Sequence, residues 1–83
     1  MNRVKVYGAD WCEDTQRARE RLDKMGVNYD YINVEEEKAA SDWVKEQNSG
    51  KERKPTIKID ERVLSTPADD ELENALRERG LVD

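Results

Sequence analysis

The feature that most constrains the fold is a change of hydrophobic period along the chain. Residues Arg3 to Tyr7 alternate polar and apolar, a pattern typical of a half-buried strand, whereas Ala18, Leu22 and Met25 recur at helical spacing. Gly26 directly follows and predicts the helix end. Because 42% of the 83 residues are charged and 35% hydrophobic, few other segments remain to build a core. The chain therefore predicts a small mixed α/β protein.

The middle of the chain repeats this strand-then-helix pattern. Residues 27–34 are rich in β-branched and aromatic residues and predict a second strand. The run Glu35-Glu36-Glu37 suits the first turn of a second helix, where negative charge meets the positive end of the helix dipole. The apolar stripe of that helix is predicted to be Ala39, Ala40, Trp43, Val44 and Gln47, and Asn48-Ser49-Gly50 to end it.

The last third predicts a hairpin followed by a helix. Residues 56–59 and 62–64 read as strands joined by a turn at Asp60-Glu61. Thr66-Pro67 predicts a helix start with Thr as N-cap and Pro at the first helical position. Leu72, Ala75 and Leu76 form its buried stripe, and Gly80 ends it.

The resulting order, β-α-β-α-β-β-α, has a simple topological meaning. Two strands separated by a helix form a parallel pair through a right-handed crossover, and the hairpin adds antiparallel strands to the same sheet. We expect an α/β fold with a four-stranded mixed sheet and three helices, in a single domain over residues 1–83.

Charge and residue usage exclude several function classes. A net charge of -5 disfavours nucleic acid and anionic membrane surfaces as partners. Without histidine there is no Cys–His dyad, and no acidic pair has the spacing of a metal site, so we expect no bound metal or cofactor. With one cysteine there is no internal disulfide, and the expected location is the cytoplasm.

Cys12 is the strongest candidate for chemistry. It follows the first strand and opens the first helix, where unpaired N–H groups and the helix dipole favour a thiolate. The alternative is a small buried apolar residue. Glu13 and Asp14 oppose the thiolate through like charge, and Thr15 stands where a dithiol enzyme would carry its second cysteine. The Thr15 hydroxyl either donates to the Cys12 thiolate or belongs to an ordinary first-turn threonine.

Pro55 and its neighbours form the second candidate group. Pro55 either marks a strand start or follows a cis bond from Lys54, whose exposed backbone would pair with a substrate. Lys51, Arg53 and Lys54 make the loop before it basic and offer partners for a carboxylate. Trp11 either shields one side of a groove beside Cys12 or packs on the domain edge.

The motifs Trp11-Cys12, Pro55-Thr56-Ile57 and Thr66-Pro67, in this order and spacing, resemble the glutaredoxin family, especially its small bacterial redoxin branch. The resemblance implies a thioredoxin-like fold with Cys12 as nucleophile and Pro55 as a cis-proline beside it. It also implies that glutathione lies across the groove between them, with its γ-glutamyl end at Thr66 to Asp69.

The chain departs from that family at several positions. It has Cys-Glu-Asp-Thr where the family usually has C-P-Y-C, or C-G-F-S in its monothiol, cluster-binding branch. Ala9 replaces a lysine three residues before the cysteine, Ser65-Thr66 replaces a Gly-Gly pair, and Ala68 replaces an aspartate.

Three functions follow as hypotheses. The first is a monothiol thiol–disulfide oxidoreductase, a monomer whose Cys12 reduces glutathione mixed disulfides or protein disulfides, with Thr15 holding the thiolate and glutathione as co-substrate. The second is a redox-inactive module that binds a protein or peptide near Pro55. The third is a glutathione-ligated cluster carrier, which the missing lysine and glycines disfavour.

Overall fold

The computed structural model describes residues 2–83 and contains the predicted elements in the predicted order. The four strands are β1 (Val4–Gly8), β2 (Asp30–Asn33), β3 (Thr56–Ile59) and β4 (Arg62–Ser65). The three helices are α1 (Glu13–Lys24), α2 (Lys38–Gln47) and α3 (Asp69–Glu78). None of the helices within residues 2–83 is both long enough and apolar enough to cross a membrane.

The strands form one mixed sheet in the order β2-β1-β3-β4. β1 runs parallel to β2, with Val6 opposite Tyr31, and antiparallel to β3, with Val6 opposite Ile57. β3 and β4 pair as an antiparallel hairpin, as the sequence predicts. The thioredoxin-like mixed sheet with three helices is therefore confirmed.

The two faces of the sheet are covered by different helices. One face carries the main core, in which α1 and α3 contribute buried apolar residues that pack on the inward residues of β1, β3 and β4: Ala18, Leu22, Leu72, Ala75 and Leu76 against Val4, Val6, Ile57, Ile59 and Leu64. α2 covers the other face, where the Trp43 ring packs on Tyr7 with 4.6 Å between ring centroids.

The buried face of α2 differs from the predicted stripe. Ala39 and Gln47 are exposed, and the residues that α2 buries are Ser41 and Val44. Asn48, just beyond the helix, is also buried, and its amide donates to Val44 O at 2.7 Å and to Thr56 Oγ1 at 3.3 Å. A small polar residue can face the sheet here because buried polar groups find partners across the interface.

Two predicted helix starts are wrong by a few residues. The acidic run Glu35-Glu36-Glu37 precedes α2 rather than filling its first turn, and Glu37 is the N-cap. Thr66 is not the N-cap of α3: its φ is 43°, whereas the cap is Ala68 with extended backbone. An N-cap residue needs extended φ/ψ, so the left-handed turn at Thr66 moves the helix start two residues onward and leaves Pro67 outside it.

The second strand is shorter than predicted. β2 spans only Asp30–Asn33, since these are the residues that pair with Lys5 to Gly8 of β1. Val27 instead closes the end of α1, where its N–H donates to Leu22 O at 3.0 Å. Gly26 has a φ of 71°, the left-handed conformation expected of a residue that ends a helix.

Candidate active site

Cys12 lies at the junction between β1 and α1. It is the N-cap of α1, with φ -79° and ψ 118°, and its carbonyl accepts the Gln16 N–H at 3.0 Å. Its side chain makes no capping bond and is partly exposed. The thiol is therefore at the positive end of the α1 dipole and within reach of solvent.

The thiol faces the start of the central hairpin. Cys12 Sγ donates to the backbone carbonyl of Lys54 at 3.8 Å, and the Lys54–Pro55 bond is cis, one of the two alternatives that the sequence leaves open. Pro55 itself is buried. Two segments that are more than forty residues apart in the chain thus meet at one sulfur.

Thr15 is held inside the fold, one helical turn beyond Cys12. Its side chain is fully buried, and its hydroxyl accepts the Ala9 N–H at 3.5 Å. The hydroxyl proton is not used in that bond, and its donation to the Cys12 sulfur stays a prediction. The position at which a dithiol enzyme carries a second cysteine is here packed against Gly8.

Trp11 covers one flank of the thiol. Its side chain is 64% exposed, yet its indole N–H donates to Glu35 Oε2 at 2.8 Å. Lys54 Nζ lies 5.3 Å from the centroid of the indole ring, within the range of a cation–π contact. The indole is thus an exposed apolar surface held from two sides.

The Lys54 ammonium is itself paired. Lys54 Nζ lies 2.9 Å from Glu52 Oε1, and the second carboxylate oxygen of Glu52 accepts the hydroxyl of Ser41 on α2. The hydrogen bonds from Ser41 and from Lys54 hold the pKa of Glu52 below its ordinary value. The expected basic loop is therefore partly neutralised at the residue nearest the thiol.

A groove of about 220 Å³ lies on the α3 side of the hairpin. It brings together three of the predicted site residues, Pro55, Thr66 and Asp69, and is also lined by Asp14, Arg17, Pro67 and Ala68. The N–H of Thr66 donates to Pro55 O at 2.8 Å, which fixes the loop before α3 against the proline. Arg17 is the cation among these lining residues, and Asp14 and Asp69 are the carboxylates.

Tyr31 supports the loop before Cys12, although its sequence context indicates only a core or sheet position. Its hydroxyl donates to Asp10 Oδ1 at 2.7 Å, and the Arg19 guanidinium lies 3.9 Å from the centroid of its ring. Burial and the Asp10 carboxylate raise the pKa of Tyr31 to about 12. The phenol is therefore neutral over the whole physiological range and remains a donor to Asp10.

Comparisons with known proteins identify the family of this chain. The glutaredoxin family model matches residues 4–64, which include Cys12, Trp11 and Pro55. The chain belongs to the glutaredoxin family. It is 33% identical over 66 residues to Mycoredoxin 1 of Corynebacterium glutamicum, covering 80% of this chain and 81% of that protein. It is 31% identical over 74 residues, 88% of each chain, to a protein of Mycobacterium tuberculosis that carries the name glutaredoxin.

The structural comparison agrees with the sequence comparison. The crystal structure of a glutaredoxin from Archaeoglobus fulgidus superposes with a TM-score of 0.76 at 20% identity, over 93% of this chain and 88% of that one. As a glutaredoxin, the chain is in general terms a thiol–disulfide oxidoreductase. This family needs no bound cofactor, and residues 2–83 contain no cluster of three or more potential metal ligands.

The structure places the predicted site residues in two groups near Cys12. Trp11 and Lys54 contact each other, whereas Pro55, Thr66 and Asp69 line the groove, and Thr15 is buried. The sequence reasoning missed Glu35 and Glu52, which hold Trp11 and Lys54. Neither has a local pattern that marks it: Glu35 lies 24 residues from Trp11 in the chain, and Glu52, although close to Lys54, is held by Ser41 of α2.

Proposed function

We propose that this glutaredoxin is a monothiol oxidoreductase that reduces glutathione mixed disulfides through Cys12. The observation that carries the proposal is the position of Cys12 Sγ, part-exposed at the N-terminus of α1 and 3.8 Å from Lys54 O. A sulfur there can attack a disulfide that approaches from solvent, while a backbone carbonyl beside it offers an acceptor to a substrate amide. Protein disulfides are further substrates of the same class.

The reaction needs one protein thiol only. The Cys12 thiolate attacks the glutathione sulfur of a mixed disulfide; a bond forms between Cys12 Sγ and that sulfur, and the substrate leaves as a thiolate that takes a proton from water. A second glutathione thiolate then attacks the glutathione sulfur of the adduct. Glutathione disulfide is released and the Cys12 thiolate returns; the electron pair that leaves with the substrate thiolate is balanced by the pair that the incoming glutathione thiolate supplies.

The remaining site residues have supporting roles in this proposal. The Thr15 hydroxyl donates to the thiolate, and Trp11 contacts the substrate on the Lys54 side. Pro55, Thr66 and Asp69 accept the γ-glutamyl end of glutathione in the groove of about 220 Å³. Arg17, which lines the same groove, is an additional partner for a carboxylate there. We further propose that the protein acts as a monomer in the cytoplasm, where thiols stay reduced.

A glutathione-coupled disulfide reduction assay tests the proposal. We expect the wild-type chain to turn over a glutathionylated peptide, with Cys12→Ser inactive because no other thiol exists in the chain. Thr15→Val is expected to lower the rate, since it removes the hydroxyl. Equal background rates for wild type and Cys12→Ser would contradict the proposal.

A redox-inactive binding module is the second candidate, and the exposure of Trp11 favours it. An indole that is 64% exposed and held by Glu35 is a ready contact surface for a peptide. This function predicts that a peptide ligand binds wild type and Cys12→Ser equally, and that Trp11→Ala abolishes binding. The same assay decides between the two, because a binding module gives no turnover.

A further inference from the structure

We propose that Glu52 is a specificity-determining residue. It forms an ion pair with the Lys54 ammonium and so weakens the reaction of Cys12 with disulfides that bring a carboxylate to the Lys54 side of the site. The inference rests on the proposed function and concerns its substrate selection. Glu52 lies outside every motif that links the chain to its family, and it acts on Lys54 through an ion pair of 2.9 Å.

The position of Lys54 makes its ammonium relevant to a substrate. Its carbonyl is 3.8 Å from Cys12 Sγ, and its Nζ is 5.3 Å from the ring of Trp11, the residue before the cysteine. The Lys54 ammonium thus lies on the Trp11 side of the site, outside the groove that Thr66 and Asp69 line, while the Lys54 carbonyl faces the thiol. Among the cations of the basic loop, it is the one that these contacts tie to the site.

Glu52 is well placed to keep this ammonium occupied. Its carboxylate is bound from two sides, by Lys54 Nζ and by the hydroxyl of Ser41, which is itself only 8% exposed. A carboxylate anchored to α2 in this way pairs with Lys54 at a smaller entropic cost than a freely rotating one. A second carboxylate that arrives with a substrate must compete with it.

Glutathione is the kind of ligand for which this competition matters. It has a carboxylate at each end and its sulfur in the middle. With the sulfur at Cys12 and the γ-glutamyl end in the groove, the glycine carboxylate extends toward the Lys54 flank. Glu52 neutralises the cation there, so the site favours disulfides without a carboxylate at that end.

The test compares two mixed disulfides of one neutral peptide, the first with glutathione and the second with 2-mercaptoethanol, which carries no charge. Intact mass spectrometry after acid quenching follows the rate at which Cys12 acquires the small thiol. We expect Glu52→Gln to accelerate the glutathione reaction about two- to fivefold, the range for exposed charge pairs, by improving binding rather than the maximal rate. The 2-mercaptoethanol reaction should not change.

Two further variants separate this effect from a general change of charge. Glu46→Gln removes an exposed carboxylate of α2 and is expected to have no effect. In a Lys54→Met background, Glu52→Gln should no longer accelerate the glutathione reaction, because the freed ammonium is absent. A gain that persists in that background, an equal gain with both disulfides, or no gain at all would overturn the inference.

The outcome also separates this inference from the proposed function. If no variant acquires a small thiol from either disulfide, the proposed function fails and the inference falls with it. If the wild-type chain reacts with both disulfides and Glu52→Gln reacts identically, the proposed function stands and the role of Glu52 is wrong.

Discussion

The side chain of Thr15 fills the space that a β-carbon on Gly8 would occupy, with Thr15 Cγ2 and Oγ1 each 2.5 Å from that position. This contact joins the end of β1 to the first turn of α1 directly beneath Cys12. It depends on a residue without a side chain at position 8, because the Thr15 side chain lies where a β-carbon would be. The position of the thiol therefore depends on the absence of a side chain at Gly8 as well as on the cysteine itself.

Gly8→Ala is expected to destabilise the protein by about 1 to 3 kcal/mol, the usual cost of overpacking a core. Neither contacting atom is the end of a flexible chain, so the backbone has to move. Thr15→Ala removes both atoms, and the double variant should lose less stability than the sum of the single variants. Urea unfolding of the four proteins measures this coupling, and strict additivity would contradict the contact.

Thr66→Gly is expected to stabilise the fold by about 0.5 to 1 kcal/mol. Thr66 has a φ of 43°, a conformation that costs an L-residue roughly 1 to 2 kcal/mol and that glycine adopts freely. The gain is reduced by the greater freedom of glycine in the unfolded chain. Ser65→Gly, a change in β4, is the matched control and should destabilise. A Thr66→Gly protein less stable than wild type in chemical denaturation would refute this explanation.

Neutralising the acidic residues beside Cys12 is expected to speed its alkylation. Glu13 and Asp14 form the acidic first turn of α1, and removing like charge near a sulfur favours its thiolate. For Glu13→Gln with Asp14→Asn we expect an iodoacetamide rate at pH 7 about two- to fourfold above wild type at low salt. The difference should shrink in 1 M salt, because exposed charges are screened. An unchanged rate at low salt would show that these carboxylates do not act on the sulfur.

Tyr31 is expected to make stability fall at high pH. Its folded-state pKa of about 12 exceeds the ordinary value of 10.0, so the unfolded chain releases this proton first as pH rises. The contribution of Tyr31 to the free energy of unfolding is complete below pH 10 and is lost between pH 10 and 12. Between pH 8 and 11, the free energy of unfolding of wild type should therefore drop more than that of Tyr31→Phe. Parallel curves for the two proteins would contradict the hydrogen bond from Tyr31 to Asp10.

Much of the fold was predictable because it is encoded locally. The alternation around Val4 and Val6 and the helical spacing of Ala18 and Leu22 gave the correct element types and order, and the hairpin turn at Asp60 was identified from its flanking strands. The first residues of the helices were harder to predict from the sequence. Thr66 has the residue type of an N-cap, but its N–H is committed to Pro55 O, a tertiary contact that no local pattern contains.

The site was predictable only in part, for the same reason. The position of Cys12 at a helix N-terminus follows from the strand-to-helix junction, and the resemblance to the family implied the neighbouring proline. The partner of Trp11, Glu35, comes from another segment, and Glu52, in the same loop as Lys54, is fixed by the hydroxyl of Ser41 on α2. Tyr31 lies in a segment whose pattern predicts only a strand, yet its hydroxyl reaches the loop before the cysteine.

The most direct measurement of the central claim is the intact mass of the folded protein after incubation with glutathione disulfide. If Cys12 Sγ is an accessible nucleophile beside Lys54 O, wild type gains the mass of one glutathione, reduced glutathione removes it, and Cys12→Ser gains nothing. Unfolded wild type in urea provides the control for an ordinary exposed cysteine. A folded protein that stays unmodified while the urea-unfolded protein reacts would contradict the claim that this glutaredoxin works through its single thiol.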